Sequence, residues 1–322
     1  MKEIRFNRGI FNHKTFYFLF GFIAGLSVFL IVGSFILLGG SENIFNTDFP
    51  QGYKIISPEI PDELDFCGEP VPLKNFEVYE RIDREFLVNT YWHSATLLSF
   101  KRANRWFPVI EGILKANNVP EDFKYLALIE SGLSNAVSPM GATGFWQFME
   151  GAAIKYDLEV DKEIDERYNV EKATEAACKY LIEAYGKFGS WTLAAASYNM
   201  GIPGIEEQTG RQKTNNYYNL VLNEETSRFI ARIIAMKEIF KNPEKFGYDL
   251  KDEKFYTPLA YKEIQINGPV NSFADFAISK GINYKILKMY NPWLRESYLT
   301  NESGQTYSIK IPEEGSIEMI KE

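Results

Sequence analysis

The sequence predicts a mainly helical protein, on three observations. From residue 77 to 247 apolar residues recur at three- and four-residue steps, and no stretch alternates like a strand for long. Near the C-terminus two segments, 261–267 and 306–312, alternate with period two and flank two short helical patterns. Upstream of both, residues 16–38 form an apolar run without charge. The expected architecture is an N-terminal transmembrane helix, an all-helical domain and a small β-α-α-β module.

Composition narrows the function classes. Hydrophobic residues make up 45% and charged residues 24%, which excludes a disordered polymer. The net charge of −8 argues against a nucleic-acid partner, since such affinity comes largely from Lys and Arg on phosphates. Two histidines, His13 and His93, leave little basis for a histidine metal site or triad, and no metal or cofactor is expected. The 15% aromatic content fits either ring stacking on a ligand or a Phe/Tyr-rich helical core. Cys67 and Cys178 have no CxxC spacing; a disulfide between them and a small buried thiol at Cys178 both fit.

The elements follow in order. Residues 1–15 carry Lys2, Arg5, Arg8 and Lys14, and the positive-inside rule places them in the cytoplasm. The run from Phe16 to Leu38 would extend about 34 Å as a helix, enough to cross a bilayer core of about 30 Å. It is longer than the apolar core of a signal peptide and is followed by only a weak cleavage sequence, so an uncleaved anchor is expected. No cysteine follows that could carry a lipid. The rest of the chain would then lie on the extracytoplasmic side, periplasmic or facing the cell wall. Residues 39–76 read as a linker, partly ordered at its end.

The helical domain spans 77–247. Phe86, Leu87, Tyr91, Leu97 and Leu98 recur at helical spacing, and Pro108 and Gly112 suggest a break or a helix start near them. NNVPEDFKYLALIESG has a helix entry at Asn118–Pro120 and a stop at Gly132. VEKATEAACKYLIEAYGKFG lines up Ala173, Ala176, Ala177, Tyr180, Leu181 and Ala184 on one face. Further helices are expected at WTLAAASYNMG and ETSRFIARIIAMKEIFK. Residues 248–260 read as a second linker, and 261–314 as the β-α-α-β module.

One carboxylate stands out. Glu130 lies four residues after Leu126 and three after Ala127, on the inward face of its helix and near the C-terminal end. Burial and the helix dipole both disfavour its charged form, as a general acid near neutral pH requires. The alternative is a glutamate that reaches solvent at a frayed helix end. Two neighbouring patterns favour the first reading. In SPMGATGFWQFM, Gly141 and Gly144 permit a tight loop, and Gln147 is an amide inside an apolar run. SYNMG then ends another apolar helix with a phenol, an amide and a glycine.

These motifs resemble those of lytic transglycosylases with a lysozyme-like fold, of the soluble and membrane-bound-D type. The matching residues are the pair Glu130-Ser131, the loop Gly141, Gly144 and Gln147 preceded by Ser138, and Ser197-Tyr198-Asn199-Met200-Gly201, where the family usually has Ala first. Glu225 fits a Glu-Thr pair that opens the last helix. The resemblance implies that Glu130 is the catalytic acid and base. It implies that Ser138, Gln147, Tyr198, Asn199 and Glu225 bind substrate, with Tyr198 hydrogen-bonded to Glu130, and that Ser131, Phe145 and Trp146 are candidates for lining the cleft. Core packing is an equal reading for Phe145 or Trp146. The implied reaction cleaves peptidoglycan between N-acetylmuramic acid and N-acetylglucosamine, leaving 1,6-anhydro ends. A hydrolytic muramidase on the same fold and a silent wall-binding scaffold are the alternatives. The C-terminal module resembles LysM, a peptidoglycan-binding unit, although NGPVNS replaces the usual Gly-Asp-Thr turn. The implied partners are peptidoglycan glycan strands and, through the N-terminal helix, a membrane.

Overall fold

The computed structural model describes residues 56–316 other than Asp252 and Ser303. The apolar run at 16–38 that is expected to span a membrane, its basic flank and residues 39–55 lie outside the described residues. Among the described residues no helix is long and apolar enough to cross a membrane. The chain from Ser57 onward forms one compact unit.

That unit is mainly helical, as the periodicity predicts. A short hairpin comes first, with β1 at Asp65–Phe66 and β2 at Glu69–Pro70. The helices α1 (Phe76–Tyr91), α2 (His93–Ala116), α3 (Phe123–Ser131), α4 (Glu150–Lys155) and α5 (Val170–Phe188) follow. Then come α6 (Trp191–Met200), α7 (Ile202–Gln212) and α8 (Glu224–Lys241). Helix α8 is the axis of the domain: Phe229, Ile230, Ile233 and Ile234 are all buried, and α1, α3 and α6 pack around it.

The break expected near Pro108 falls elsewhere. Pro108 sits inside α2, between buried Phe107 and Ile110, and the burial of that face carries the helix across the missing N–H. The chain instead leaves helical geometry at Trp92, between α1 and α2. Carbonyls orphaned there find side-chain donors. Thr96 donates to the oxygen of Asn89 at 2.6 Å, and Tyr248 to that of Thr90 at 2.6 Å.

The described end of the first linker is integral to the core. Phe66 is fully buried and meets Phe123 of α3 edge to face. Lys237 of α8, itself buried, bonds the carboxylates of Asp65 at 2.9 Å and Asp122 at 2.7 Å, and Asp122 also accepts from the Cys67 amide. The hairpin also caps a helix: Glu69 accepts from the amides of Trp191 and Thr192 and from the Ser190 hydroxyl, at the N-terminus of α6. Both cysteines are free thiols. Cys178 is buried in α5, which pushes its thiol up to about 12.

The C-terminal module has the expected order. β3 (Tyr261–Ile266) and β4 (Tyr307–Pro312) pair antiparallel from Tyr261 opposite Pro312 to Ile266 opposite Tyr307, with α9 (Phe273–Ser279) and α10 (Tyr284–Tyr290) between them. The module is bound to the helical domain through the segment before α5. Ile164 is buried in the module's own core, between the bonds Asp165 N to Trp293 O (2.9 Å) and Arg295 N to Glu163 O (2.7 Å).

Candidate active site

The site is assembled from α3, the loop after it, α6 and the first turns of α8. Helix α3 buries Phe123, Leu126 and Ala127 completely, which turns Glu130 inward along the same face. Gly132 ends the helix at φ +59°, with its amide bonded to the Leu128 oxygen at 2.8 Å. Glu130 is half-buried, and its carboxyl makes no hydrogen bond among the described residues. Burial pushes its pKa from an ordinary 4.5 up to about 7; Arg232 pulls it down and Glu225 pushes it further up.

Arg232 was not among the residues the motifs singled out. It lies seven residues after Glu225, so the two share a face of α8. Its guanidinium donates to the oxygen of Ile129 at 3.3 Å. That i, i+7 relationship was present in the sequence, but no motif marked it. Ser131 donates back to Ala127 O at 3.1 Å, a helix-end bond within α3.

The loop 136–148 is held by its own polar groups. The Ser138 hydroxyl accepts from the amide of Ala142 at 2.9 Å. Gln147, at φ +50°, donates from its side-chain nitrogen to the oxygens of Ala136 (3.0 Å) and Gly144 (2.8 Å). The side-chain amide nitrogen therefore braces the loop. Gly144, at φ +81°, lies so close to the backbone of Arg167 that an added Cβ would stand 1.9 Å from its carbonyl oxygen. Phe145 and Trp146 are buried, Trp146 completely, with its indole bonded to Thr174 at 2.9 Å. Both pack in the core of the helical domain, and Phe145 also lines a cavity beside Trp106 and Asn135.

Helix α6 brings Tyr198 and Asn199 to the same region. The Tyr198 hydroxyl donates to the main-chain oxygen of Trp146 at 2.7 Å, not to Glu130 as the resemblance implies. It ties the loop to α6, while the charge of Glu130 is near enough to raise the tyrosine's pKa after burial. Asn199 donates to Glu225 at 3.0 Å and accepts from the Thr226 hydroxyl at 2.6 Å, so it links α6 to the start of α8. Glu130, Tyr198, Asn199, Glu225 and Arg232 thus converge. Ser138 and Gln147 reach them through the loop and make no hydrogen bond to Glu130. Among the described residues no cluster of His, Cys, Asp and Glu could hold a metal ion.

The fold and this group of residues are similar to those of the transglycosylases that carry an SLT domain. Residues 107–221 match the family model of the transglycosylase SLT domain, and 262–315 match that of the soluble lytic transglycosylase C-terminal LysM-like domain. Glu130, Ser138, Gln147, Tyr198 and Asn199 all fall within the first match; Glu225 lies just beyond it. Over 256 residues the chain is 28% identical to the membrane-bound lytic murein transglycosylase D of Escherichia coli K12, covering 77% of this chain and 55% of that protein. The same protein from Escherichia coli O6:H1 gives equal values. The chain therefore spans about half the length of the curated relatives it matches. The resemblance read from the motifs holds at both domains.

Proposed function

We propose that the protein is a peptidoglycan lytic transglycosylase in which Glu130 is the single acid and base. This reading is carried by the placement of Glu130, a half-buried carboxyl at the end of α3 that makes no hydrogen bond among the described residues and has Arg232 and Glu225 close by; burial there raises its pKa to about 7. At neutral pH a large fraction of Glu130 holds its proton. Glu130 gives that proton to the glycosidic oxygen as the bond from the anomeric carbon breaks. The sugar's own 6-hydroxyl then attacks the anomeric carbon, and its proton returns to the Glu130 carboxylate. Each turnover restores the starting protonation state, and no water is consumed. The substrate's acetamido group supports the oxocarbenium-like state.

Ser138, Gln147, Tyr198 and Asn199 are assigned to positioning and sugar contact. Asn199 and Tyr198 act partly by fixing the loop and α8 about the acid. Hydrolysis is the second reading, because Glu225 is a second carboxylate near enough to raise the Glu130 pKa. Two-carboxylate glycosidases use such a group to activate water or as a nucleophile. Digestion of purified sacculi separates the readings by mass spectrometry: transglycosylation leaves muramic-acid ends one water lighter than reducing ends. Glu130→Gln is expected to lower turnover by about 10²-fold or more. Full turnover by this variant would reject the assignment of Glu130, and reducing ends alone would select hydrolysis.

Residues 16–38 are proposed as the anchor that holds these domains on the extracytoplasmic face. The apolar run, its basic flank and the relatives' printed description as membrane-bound support this. Membrane fractionation with and without residues 1–39 tests it: loss of the segment should release the protein to the soluble fraction.

A further inference from the structure

A pocket of about 240 Å³ lies between the start of α2, the end of α3 and α8. Arg102 of α2 and Arg232 of α8 line it, together with Trp92, Leu98, Ile129 and Gly132. Ile129 comes just before Glu130 in the chain and Gly132 two residues after it, so the pocket adjoins the acid although Glu130 does not line it. Tyr198, Asn199 and Glu225 do not line it either, and Arg232 is the residue it shares with their group.

Both arginines are half-buried and are held by main-chain oxygens. Arg102 donates to that of Gly132 at 2.9 Å, and Arg232 to that of Ile129 at 3.3 Å. Among the described residues neither forms an ion pair with a carboxylate. The chain has 43 acidic residues against 35 Lys and Arg, so a shortage of acids does not explain this. Two like charges facing one pocket repel, and partial burial without a counter-charge adds to the cost. A bound anion would relieve both. A guanidinium has five N–H groups, so each arginine keeps donors beyond its main-chain bond. Its planar fork matches a carboxylate, which can take two parallel N–H bonds. Trp92, 62% exposed, and Leu98 give the pocket an apolar wall on which a peptide can pack.

We propose that this pocket seats a carboxylate of the short peptide carried by the muramic acid under cleavage, held between Arg102 and Arg232. The proposal rests on the peptidoglycan reading above for the source of the peptide. It gives the enzyme a hold on the substrate that is not sugar, beside the acid, and so a preference for glycan that still bears its peptides. The competing explanation is that the two arginines do no more than cap the last carbonyls of α3.

The full wild-type chain is titrated calorimetrically with the free tetrapeptide of peptidoglycan and with the same peptide after amidation of its carboxylates. The free peptide should bind saturably, and amidation or Arg102→Gln should each weaken binding about tenfold or more. Absence of binding, the result that capping alone would give, overturns the proposal, as does equal binding of the amidated peptide or of the folded Arg102→Gln variant. If Arg102→Gln does not fold, the comparison of the two peptides on the wild-type chain still decides. Turnover of sacculi and of glycan strands stripped of peptide is measured in parallel. Stripping should raise KM, and Arg102→Gln should raise KM on sacculi but not on stripped strands; an equal rise on both would overturn the proposal. Absence of turnover on either substrate would reject the activity reading and leave the calorimetry to judge the pocket by itself.

Discussion

Arg232 donates to the main-chain oxygen of Ile129 at 3.3 Å, one residue before Glu130. A cation on α8 is thus fixed to the end of the helix that presents the acid, and it opposes the effect of burial on that acid. Arg232→Met removes the opposing charge. The pKa of Glu130 should rise further, and the alkaline limb of the kcat/KM profile on sacculi should move to higher pH. A limb that stays in place or moves to lower pH would show that Arg232 does not act on the acid.

The raised pKa of Glu130 also bears on stability. A carboxyl whose folded pKa lies above its unfolded value binds its proton more tightly in the folded state. Its ionisation therefore weakens the fold as pH climbs from 4.5 to about 7, with no further change above that. Glu130→Gln cannot ionise. The variant should match the wild type near pH 4 and exceed it by up to about 3 kcal/mol at pH 8. Denaturant unfolding at the two pH values measures this, and a gap that does not widen with pH contradicts it.

The two loop glycines should respond differently to alanine. At Gly144 a Cβ would stand 1.9 Å from the Arg167 carbonyl oxygen, so the loop has to move away from the segment behind it. A loss of about 3 kcal/mol or more is expected, together with loss of activity. At Gly141, φ is +86° but no atom lies within 4 Å, so only the left-handed backbone strain remains, about 1–2 kcal/mol. Thermal unfolding of both variants tests the order; equal losses would mean that the contact with Arg167 is not limiting.

Among the described residues Lys237 is the one cation bonded to both Asp65 and Asp122. Lys237→Met removes that cation from both carboxylates, and because Asp65 is half-exposed and each acid keeps a backbone N–H donor, the loss should be about 1.5–3 kcal/mol. Urea unfolding of the variant gives the value, and a loss under about 1 kcal/mol would show that solvent compensates both acids.

Much of this architecture could be read from spacing alone. Helix α5 follows from its row of small and apolar residues, and the module from two alternating segments around two short helical ones. Glu130 and Gly132 stand where the pattern placed them, because one is set by helical phase and the other by the need for φ above zero. What escaped depends on contacts between distant segments. Pro108 looked like a breaker, yet burial on α2 overrides it, while the true break at Trp92 is stabilised by Tyr248, far along the chain. Trp146 sits in a motif beside the site but is claimed by Thr174 and the core. The Tyr198 hydroxyl answers to a main-chain oxygen that no side-chain pattern reveals. The hairpin escaped because its turn, Cys67-Gly68 at φ +52° and +79°, uses a pair outside the usual Asn-Gly signature.

That hairpin has a practical consequence for anyone dividing the chain. Glu69 caps the helix that delivers Tyr198 and Asn199, and Phe66 fills the space beside the helix that delivers Glu130. A fragment cut at residue 77, where the regular helices begin, would lose the wedge and the clamp behind both halves of the cleft. The smallest piece able to hold its own shape therefore starts upstream of Leu64, and the stretch that looks most like a tether is the part that keeps the acid aimed.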